Sequence, residues 1–376
     1  MILDVGPVGH GGICVAHAPD GRAVLVRHTL PGERVRVEVT EEKASFLRAD
    51  AVEIIEASPH RVAPPCAFAG PGRCGGCDWQ HVDLAEQRKL KAEVIDAALR
   101  RMAKVERDVV VEAVPGDAEG LGWRTRMRLA VGPDGSAGLH RHRSSQIEHI
   151  TDCLIAHESL PVASVVAQLW PDVEAVELQA SEEEVAAGRT FRIPEGGFWQ
   201  VHPGAPEALI SAVLGFFDVE PADRCLDLYG GVGLFAGALA PLLPAGQVVM
   251  VENNREAAAA AVSNLADLPN VRVAVDQVSR WLARDSVAKD GAGADLVVLD
   301  PPRKGAGAVV VEGIIAARPR QVCYVACEPA SLARDVANFI AGGWALTGLR
   351  AFDLFPMTSH VECVALLEPI GRPAQR

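Results

Sequence analysis

The sequence predicts a protein of several domains: an N-terminal OB-like β-barrel, a central α+β region with a cysteine-rich loop, and a C-terminal α/β domain. A chain of 376 residues is too long for one ordinary hydrophobic core. Its first part contains short alternating strands between turn residues, whereas its last part alternates apolar strands with helical patterns. We expect boundaries that give domains at 1–58, 59–197 and 198–376.

Composition excludes several classes of protein. With 49% hydrophobic and 23% charged residues the chain is expected to fold. No apolar run approaches the ~18 residues of a membrane span, and residues 1–12 lack a signal-peptide pattern, so we expect a cytoplasmic protein without a membrane partner. The net charge of −13 argues against a surface coated in nucleic acid, but it permits a local basic surface.

The N-terminal segment predicts a small barrel. Short strand patterns at 24–26, 35–39 and 51–55 are separated by turn signals such as Asp20-Gly21. Five-stranded barrels of the OB type often bind oligonucleotides, although a purely structural barrel fits the pattern equally well. The proline-rich residues 58–65 then predict a linker.

Three cysteines in a Gly/Pro-rich loop indicate half of a metal site. Cys66, Cys74 and Cys77 have the spacing C-x7-C-x2-C, and Cys153 is a candidate fourth ligand. Four thiolates suit either tetrahedral zinc or an iron–sulfur cluster. A redox pair at Cys74 and Cys77 is a third interpretation, which the nearby Cys66 and the lack of a preceding strand disfavour.

Residues 87–102 have the apolar spacing of a helix. Arg124, Arg126 and Arg128 alternate along a predicted strand, where they form either a solvated face or a surface that follows RNA phosphates. The acidic residues 182–184 are expected in a loop or helix.

The glycine-rich turn after residue 229 predicts a nucleoside-binding site. An apolar strand at 224–229 leads into Gly230–Gly233 and then a helix, a geometry that lets a ligand approach the backbone. The next strand ends at Glu252, a carboxylate placed to accept hydrogen bonds from ribose hydroxyls. The same glycines fit a dinucleotide fingerprint, so these residues alone leave NAD open.

The strand at 295–299 ends in Asp300-Pro301-Pro302-Arg303. Two prolines stiffen the loop and hold Asp300 at the mouth of the sheet. A dehydrogenase has no need of this loop, whereas a methyltransferase that presents a flat base beside a sulfonium does.

Cys327 follows an apolar strand at 322–326, and Pro329 can open a helix directly after it. The carboxyl ends of strands carry the chemistry of open α/β sheets, and a helix N-terminus favours a thiolate. A cysteine here is also a common packing residue. Near the C-terminus, His360 and Glu362 open the last apolar strand.

Together these segments resemble the bacterial RNA uracil-C5 methyltransferases, which make 5-methyluridine in tRNA or 23S rRNA. The matching segments lie in the same order over nearly the whole chain: Phe198–His202, Asp227–Gly233, Asp300–Arg303, Cys327–Asp335 and His360–Glu362. The chain departs from the usual pattern at Ala326, Glu328 and His202, where the family has Ser, Asn and Asn, and Cys66 and Cys74 are two residues further apart than is common.

The resemblance implies an N-terminal TRAM domain, a central [4Fe–4S] domain and a class I S-adenosylmethionine-dependent domain. It implies that Cys327 is the nucleophile and Glu362 the base. The residues that would contact the methyl donor are Gln200, Tyr229, Glu252 and Asp300. The residues that would hold the cluster are Cys66, Cys74, Cys77 and Cys153. The implied partner is a tRNA or 23S rRNA, with no stable protein partner.

Two alternatives remain at this point. The Asp300-Pro301-Pro302 loop also resembles that of methyltransferases acting on an exocyclic amine, a reaction that needs no thiolate. The Glu328 departure is compatible with an RNA-binding protein that has lost catalysis.

Overall fold

The computed structural model describes residues 1–284 and 293–371, and five strands at its N-terminus form a barrel with the order β1-β4-β5-β3-β2. The strands are β1 (Ile2–Asp4), β2 (Cys14–His17), β3 (Ala23–Arg27), β4 (Arg34–Glu42) and β5 (Phe46–Glu56). Gly6 N–H donates to the carbonyl of Val15, and Val15 N–H to that of Pro7, which closes the sheet on itself. Alternate residues such as Val24 and Val26 are fully buried inside it.

The segment at 58–65 has no regular helix or strand, as predicted for a linker, but it is anchored. Arg61 forms an isolated bridge with Val82 and donates to both carboxylate oxygens of Glu33, at 2.6 and 2.7 Å. Its guanidinium also donates to the carbonyl of His28. This bidentate pair ties the barrel to the chain that follows it.

A four-stranded antiparallel sheet with the order β10-β7-β8-β9 occupies the middle of the described chain. Its strands are β7 (Arg126–Val131), β8 (Ala137–His140), β9 (Ile147–Glu148) and β10 (Ala175–Gln179), and the short helix α2 (Val162–Val166) packs beside β8. The acidic run lies in a hairpin of β11 (Glu183–Ala186) and β12 (Arg189–Arg192), so the loop-or-helix prediction for it was wrong. Pairing with β12 decides this, because a strand partner overrides the weak β-propensity of glutamate.

Of the three alternating arginines, Arg124 precedes β7, and Arg126 and Arg128 lie on it. Arg124 donates to the carbonyl of Arg126, and Arg126 donates to Glu177 at 3.2 Å. Arg128 remains 68% exposed and is 4.0 Å from Glu177. Arg128 is thus the more exposed of the two arginines on this strand.

Eight strands in the described residues form the large C-terminal sheet, with the order β15-β14-β13-β16-β17-β19-β18-β6. The strands are β6 (Val111–Ala113), β13 (Arg224–Leu228), β14 (Gln247–Glu252), β15 (Val271–Val275), β16 (Leu296–Leu299), β17 (Gln321–Ala326), β18 (Trp344–Asp353) and β19 (Glu362–Pro369). Neighbours from β15 through β17 are parallel, and β19 is antiparallel to both β17 and β18. The central strands are buried on both faces because helices cover them.

The helices that accompany the sheets are α1 (Leu84–Ala98), α3 (Ala205–Phe216), α4 (Leu234–Leu239), α5 (Arg255–Asn264), α6 (Val278–Ala283), α7 (Ala308–Ala316) and α8 (Pro329–Ala341). Helix α1 begins at the cap Asp83, whose side chain accepts from Glu86 N–H, and it continues into a π-helical turn through Ala103. No helix in the described ranges is long and apolar enough to cross a membrane.

Helix α1 and strand β6, although early in the chain, join the C-terminal sheet. Strand β6 pairs in parallel with the end of β18, and α1 packs against α8. Lys91 on α1 is fully buried and donates to Asp353 at 2.5 Å and to the carbonyl of Phe355 at 3.0 Å. A buried charge of this kind is tolerated only when it is paired, so this contact fixes α1 at the edge of the sheet.

Candidate active site

The predicted nucleophile and base lie together at the carboxyl edge of the large sheet. Cys327 directly follows β17, and Glu362 is the first residue of β19. In the antiparallel register Ala326 pairs with Cys363, which places Cys327 beside Glu362. Asp300 follows β16, the strand next to β17, so the structure brings all three residues to one edge.

The surroundings of this group favour its uncharged forms. Burial raises the pKa of Cys327 to about 12, with further contributions from Glu362 and Asp300. Burial and then Asp300 raise the pKa of Glu362 well above its usual value. Burial raises the pKa of Asp300 to about 7. Burial makes a negative charge on the thiol or on either carboxyl group unfavourable, and a negative charge on one of them disfavours a charge on the others. A polar ligand would have to stabilise any charge that forms there.

The sequence predicted that the start of α8 would stabilise the Cys327 thiolate, but other effects raise the pKa of Cys327 by more than the helix lowers it. The helix does begin at Pro329, and the preceding Glu328 caps it by accepting from Ala330 N–H at 3.3 Å. Burial and the two neighbouring carboxyl groups have the larger effect on the thiol pKa. Arg303 opposes them, since its positive charge lowers the pKa of both Cys327 and Glu362.

The loop that carries Arg303 is held by α8. Ser331 donates its hydroxyl to the carbonyl of Arg303 at 2.7 Å. The buried carboxylate of Asp335 accepts from Ala306 N–H at 2.7 Å and from the hydroxyl of Tyr324 at 2.7 Å. The sequence placed Ser331 and Asp335 in a matching motif but gave them no role; their role is to position the loop.

The glycine in this loop is required by its close approach to α8. Gly305 has φ +80°, and a Cβ there would lie 2.5 Å from a carboxylate oxygen of Asp335. A side chain would therefore force the loop and the helix apart.

The glycine turn after β13 is fixed by Glu252. One carboxylate oxygen accepts from Gly231 N–H at 3.0 Å and the other from Asn254 N–H at 2.6 Å. Tyr229 opens the turn with φ +62°, a conformation that costs a non-glycine residue free energy and is common at functional sites. Tyr229 and Glu252 thus flank the predicted nucleoside site, at the ends of β13 and β14.

Asp227 opens one of the matching segments, but the sequence assigned it no role. Its carboxylate is fully buried and accepts from Ala236 N–H at 2.8 Å, which holds the start of α4. Its other oxygen has no hydrogen-bond partner in the described residues. Burial raises the pKa of Asp227 to about 7. An acid inside an otherwise apolar strand was the signal that could have identified it.

Gln200, the remaining predicted donor-binding residue, is 8% exposed in the segment that precedes α3. Within the described chain no hydrogen bond joins it to Tyr229, Glu252 or Asp300. Likewise, no hydrogen bond in this part of the chain joins the ring of His360 to Glu362; His360 makes an edge contact with Phe355 instead.

The four predicted metal-ligating cysteines share one region. The loop carrying three of them is held to the central sheet, because Gly75 N–H donates to the carbonyl of His140 at 3.0 Å. Burial raises the pKa of Cys77 to about 12, and Cys153, Cys74 and Cys66 each raise it further. Among residues 1–284 and 293–371, no three His, Cys, Asp or Glu side chains are arranged to hold a metal ion. The four thiols are thus neighbours, but in the described residues they do not have the arrangement of a metal site.

The N-terminal barrel contacts the edge of the sheet that carries Cys327. His10 lies 3.2 Å from the carboxylate of Glu328. The indole N–H of Trp79 donates to the carbonyl of Gly12 at 3.1 Å, and the Ser359 hydroxyl donates to Asp78 at 3.0 Å. Sequence patterns gave no signal for these contacts. The His10 contact places the barrel next to the candidate active site, and the other two join the segment after Cys77 to the barrel and to the residues before β19.

Comparison with known proteins supports the architecture. Residues 2–52 match the TRAM domain, and residues 181–370 match the family described as tRNA (Uracil-5-)-methyltransferase. The chain is 43% identical to a Streptomyces avermitilis protein described as an uncharacterized RNA methyltransferase, over 98% of each chain. It is 30% identical to the 23S rRNA (uracil(1939)-C(5))-methyltransferase of Chromohalobacter salexigens, over 98% of this chain and 90% of that protein.

A solved structure has the same fold. The Pyrococcus abyssi tRNA (uracil-54, C5)-methyltransferase in complex with S-adenosyl-L-homocysteine superposes with a TM-score of 0.70 at 22% identity, covering 98% of this chain and 100% of that one. The predicted TRAM domain and class I methyltransferase fold are thereby confirmed. The chain belongs to the tRNA (uracil-5-)-methyltransferase family of RNA methyltransferases.

Proposed function

We propose that the protein transfers a methyl group from S-adenosylmethionine to C5 of a uridine in a tRNA or a 23S rRNA, in the cytoplasm, through a covalent bond to Cys327. The observation that carries this proposal is the register of β17 and β19, which sets a thiol and a buried carboxyl group side by side at the mouth of the sheet. Family membership and the TRAM domain support RNA as the substrate.

Cys327 supplies the activation that uracil needs. C5 of a neutral uracil is a poor nucleophile, and addition of a thiolate to C6 converts C5 into an enolate carbon. The cosubstrate supplies an electrophilic methyl group on a sulfonium. The thiol must first lose its proton to solvent water, and Arg303 is the side chain on the loop beside it that favours this loss by lowering the pKa of Cys327.

Glu362 completes the reaction as the base. After methyl transfer C5 carries both a methyl group and a proton, and the proton must leave before the C6–sulfur bond can break. Removal of that proton by Glu362 lets its C–H electron pair form the C5–C6 double bond and expel the thiolate. Glu362 must be ionised to accept this proton, and Arg303 favours the ionised form because its positive charge lowers the pKa of Glu362.

The methyl donor is assigned to the strand ends on the other side of Cys327. We propose contacts from Gln200, Tyr229, Glu252 and Asp300. Glu252 would offer its remaining lone pairs to the ribose, and Asp300 would lie next to the positive charge of the donor. The adjacent carboxyl groups support this assignment, because a cation bound there would lower the pKa of Asp300 and Cys327 together.

This function predicts one product. Incubation of the protein with in vitro transcribed tRNA and 23S rRNA fragments and tritiated S-adenosylmethionine should place label in 5-methyluridine after digestion to nucleosides. Heat-denatured protein is the control. Label in an N-methylated nucleoside would favour the exocyclic-amine alternative, and RNA binding without any transfer would favour an inactive binding protein.

We further propose that Cys66, Cys74, Cys77 and Cys153 hold a [4Fe–4S] cluster. Four neighbouring half-buried thiols from two segments are the donor set that such clusters use. The cluster would fasten the cysteine loop to the segment around Cys153, close to Trp123 and Met357 of a shared hydrophobic core. We also propose domain limits at 1–58, 59–197 and 198–376, with α1 and β6 as the elements of the central segment that join the C-terminal sheet.

Anaerobically purified protein should accordingly be brown and contain about four irons and four sulfides per chain. Cys153→Ser should lose most of this iron and lower the thermal midpoint, whereas Cys327→Ala should keep its iron as the matched control. Stoichiometric zinc in a colourless, folded protein would overturn the cluster assignment.

A further inference from the structure

A cavity of about 300 Å³ lies at the same edge of the large sheet, beyond the proposed base. It is bounded by the start of α1, the ends of β6 and β18, and the segments that follow these strands. Its lining includes Leu84, Arg88, Asp117, Asp353 and Pro356. None of these residues has a role in the reaction proposed above.

The order of the strands places the cavity relative to the target base. Along the edge come β14, β13 and β16 with the proposed donor residues, then β17 with Cys327, then β19 with Glu362, then β18 and β6 with the cavity. Phe352 pairs with Glu362, and the next residue, Asp353, pairs with Ala113 of β6. The cavity is therefore one strand away from the proposed base, on the side opposite the methyl donor.

Two buried polar atoms in this region have no partner. Asp353 is 2% exposed; one of its oxygens accepts from Lys91, and the other has no hydrogen bond in the described residues. His202 is fully buried, and its Nε2 is likewise unpartnered, 3.8 Å from a carboxylate oxygen of Asp117. Unsatisfied buried polar groups are rare. Within the described chain Asp353 has one unpaired carboxylate oxygen, and Asp117, whose other oxygen accepts from Gly120 N–H at 2.8 Å, has a second one without a hydrogen bond, so the lining is suited to a ligand that donates hydrogen bonds.

The cavity also has a free donor and apolar walls. Arg88, half-exposed on α1, makes no hydrogen bond or ion pair with the part of the chain that the structure describes. Leu84, Pro115 and Pro356 contribute apolar surface. A ligand that fits this lining is flat, with N–H donors on one side and acceptors on another.

We propose that the cavity binds an unpaired guanine next to the uridine that is methylated, a proposal that rests on the function proposed above. Guanine has two adjacent donors, N1–H and the N2 amine, that match a carboxylate, and its O6 and N7 accept from a guanidinium. Uracil has a single N–H, and the amines of adenine and cytosine have no adjacent N–H donor. Asp353 and Asp117 would accept hydrogen bonds from N1–H and the N2 amine of guanine, and Arg88 would donate to O6 or N7.

Equilibrium binding of mononucleotides tests the cavity without any methyl transfer. Isothermal titration of the full-length protein should show GMP binding more tightly than AMP, CMP or UMP. Arg88→Gln and Asp117→Asn should each weaken GMP binding about tenfold, the scale of a lost bidentate base contact. Asp172→Asn, an exposed aspartate outside the cavity, is the matched control and should bind GMP as the wild type does.

Methylation of short RNAs gives the second readout. With each base in turn at the positions flanking the uridine, the wild type should prefer guanosine at one position, and Asp117→Asn should lose that preference through KM with kcat retained. Equal binding of the four mononucleotides, or GMP binding unchanged in Arg88→Gln, would overturn the cavity assignment even if RNA is methylated. Selective GMP binding without RNA methylation would instead leave the cavity assigned and refute the proposed function.

Discussion

Cys327→Ala is expected to lower methyl transfer to RNA by about 10⁴-fold or more, because alanine cannot add to C6 and C5 then stays unactivated. The measurement is incorporation of tritiated methyl groups under single-turnover conditions, with RNA and donor both saturating. RNA affinity should change little, since the substitution removes one sulfur atom at the base of the cleft.

The matched control for this variant is Cys323→Ala. Cys323 lies on β17, the strand that Cys327 directly follows, and is fully buried in the core. The Cys323→Ala variant loses the same kind of sulfur atom but leaves the carboxyl edge of the sheet unchanged. Its rate of methyl transfer should therefore stay within about tenfold of the wild-type rate. RNA containing 5-fluorouridine should crosslink to wild type and to Cys323→Ala but not to Cys327→Ala. Sustained turnover by Cys327→Ala would refute covalent catalysis.

Glu362→Gln is expected to stop the reaction after methyl transfer. Glutamine keeps the shape of the side chain but cannot accept the C5 proton, so the sulfur cannot be expelled and the methylated RNA stays bound to Cys327. Multiple-turnover rates should fall by about 10²–10⁴-fold, the usual contribution of a general base. A methyl-labelled protein–RNA conjugate that survives denaturing electrophoresis is the diagnostic product.

Glu368→Gln provides the control on the same strand, at the end far from the active site, where Glu368 accepts from Gln321. It should release its product normally. If Glu362→Gln also released 5-methyluridine at the wild-type rate without a conjugate, another group would have to be the base.

The pH dependence of stability offers an independent check on the Glu362 environment. Its pKa in the folded protein is raised, so its neutral form stabilises the fold at low pH, and this stabilisation is lost as pH rises through the folded pKa. Glu362→Gln removes this loss, so the variant should gain stability relative to the wild type in denaturant titrations as pH increases. It should also lower the pKa of Cys327, which the carboxylate otherwise raises.

The sequence by itself predicted the N-terminal barrel and the C-terminal α/β domain, and its motifs supplied the two residues proposed for catalysis. Cys327 and Glu362 were identified by the resemblance of their motifs to those of the RNA uracil-C5 methyltransferases. Their positions beside short apolar strands follow from strand periodicity, which is a local property of the chain. The same holds for the glycine turn after residue 229 and for the cysteine spacing. The acidic run at 182–184 shows the limit of such patterns, since only its pairing with β12 made it a strand.

Tertiary structure alone decided how distant segments meet at the active edge. It joined α1 and β6 to the C-terminal sheet through the buried pair of Lys91 and Asp353, which are 262 residues apart. It attached the Arg303 loop to Asp335, set the barrel against Glu328, and formed a polar cavity one strand away from the proposed base. These outcomes depend on burial and on which charges find partners in three dimensions, and no local pattern of residues encodes either.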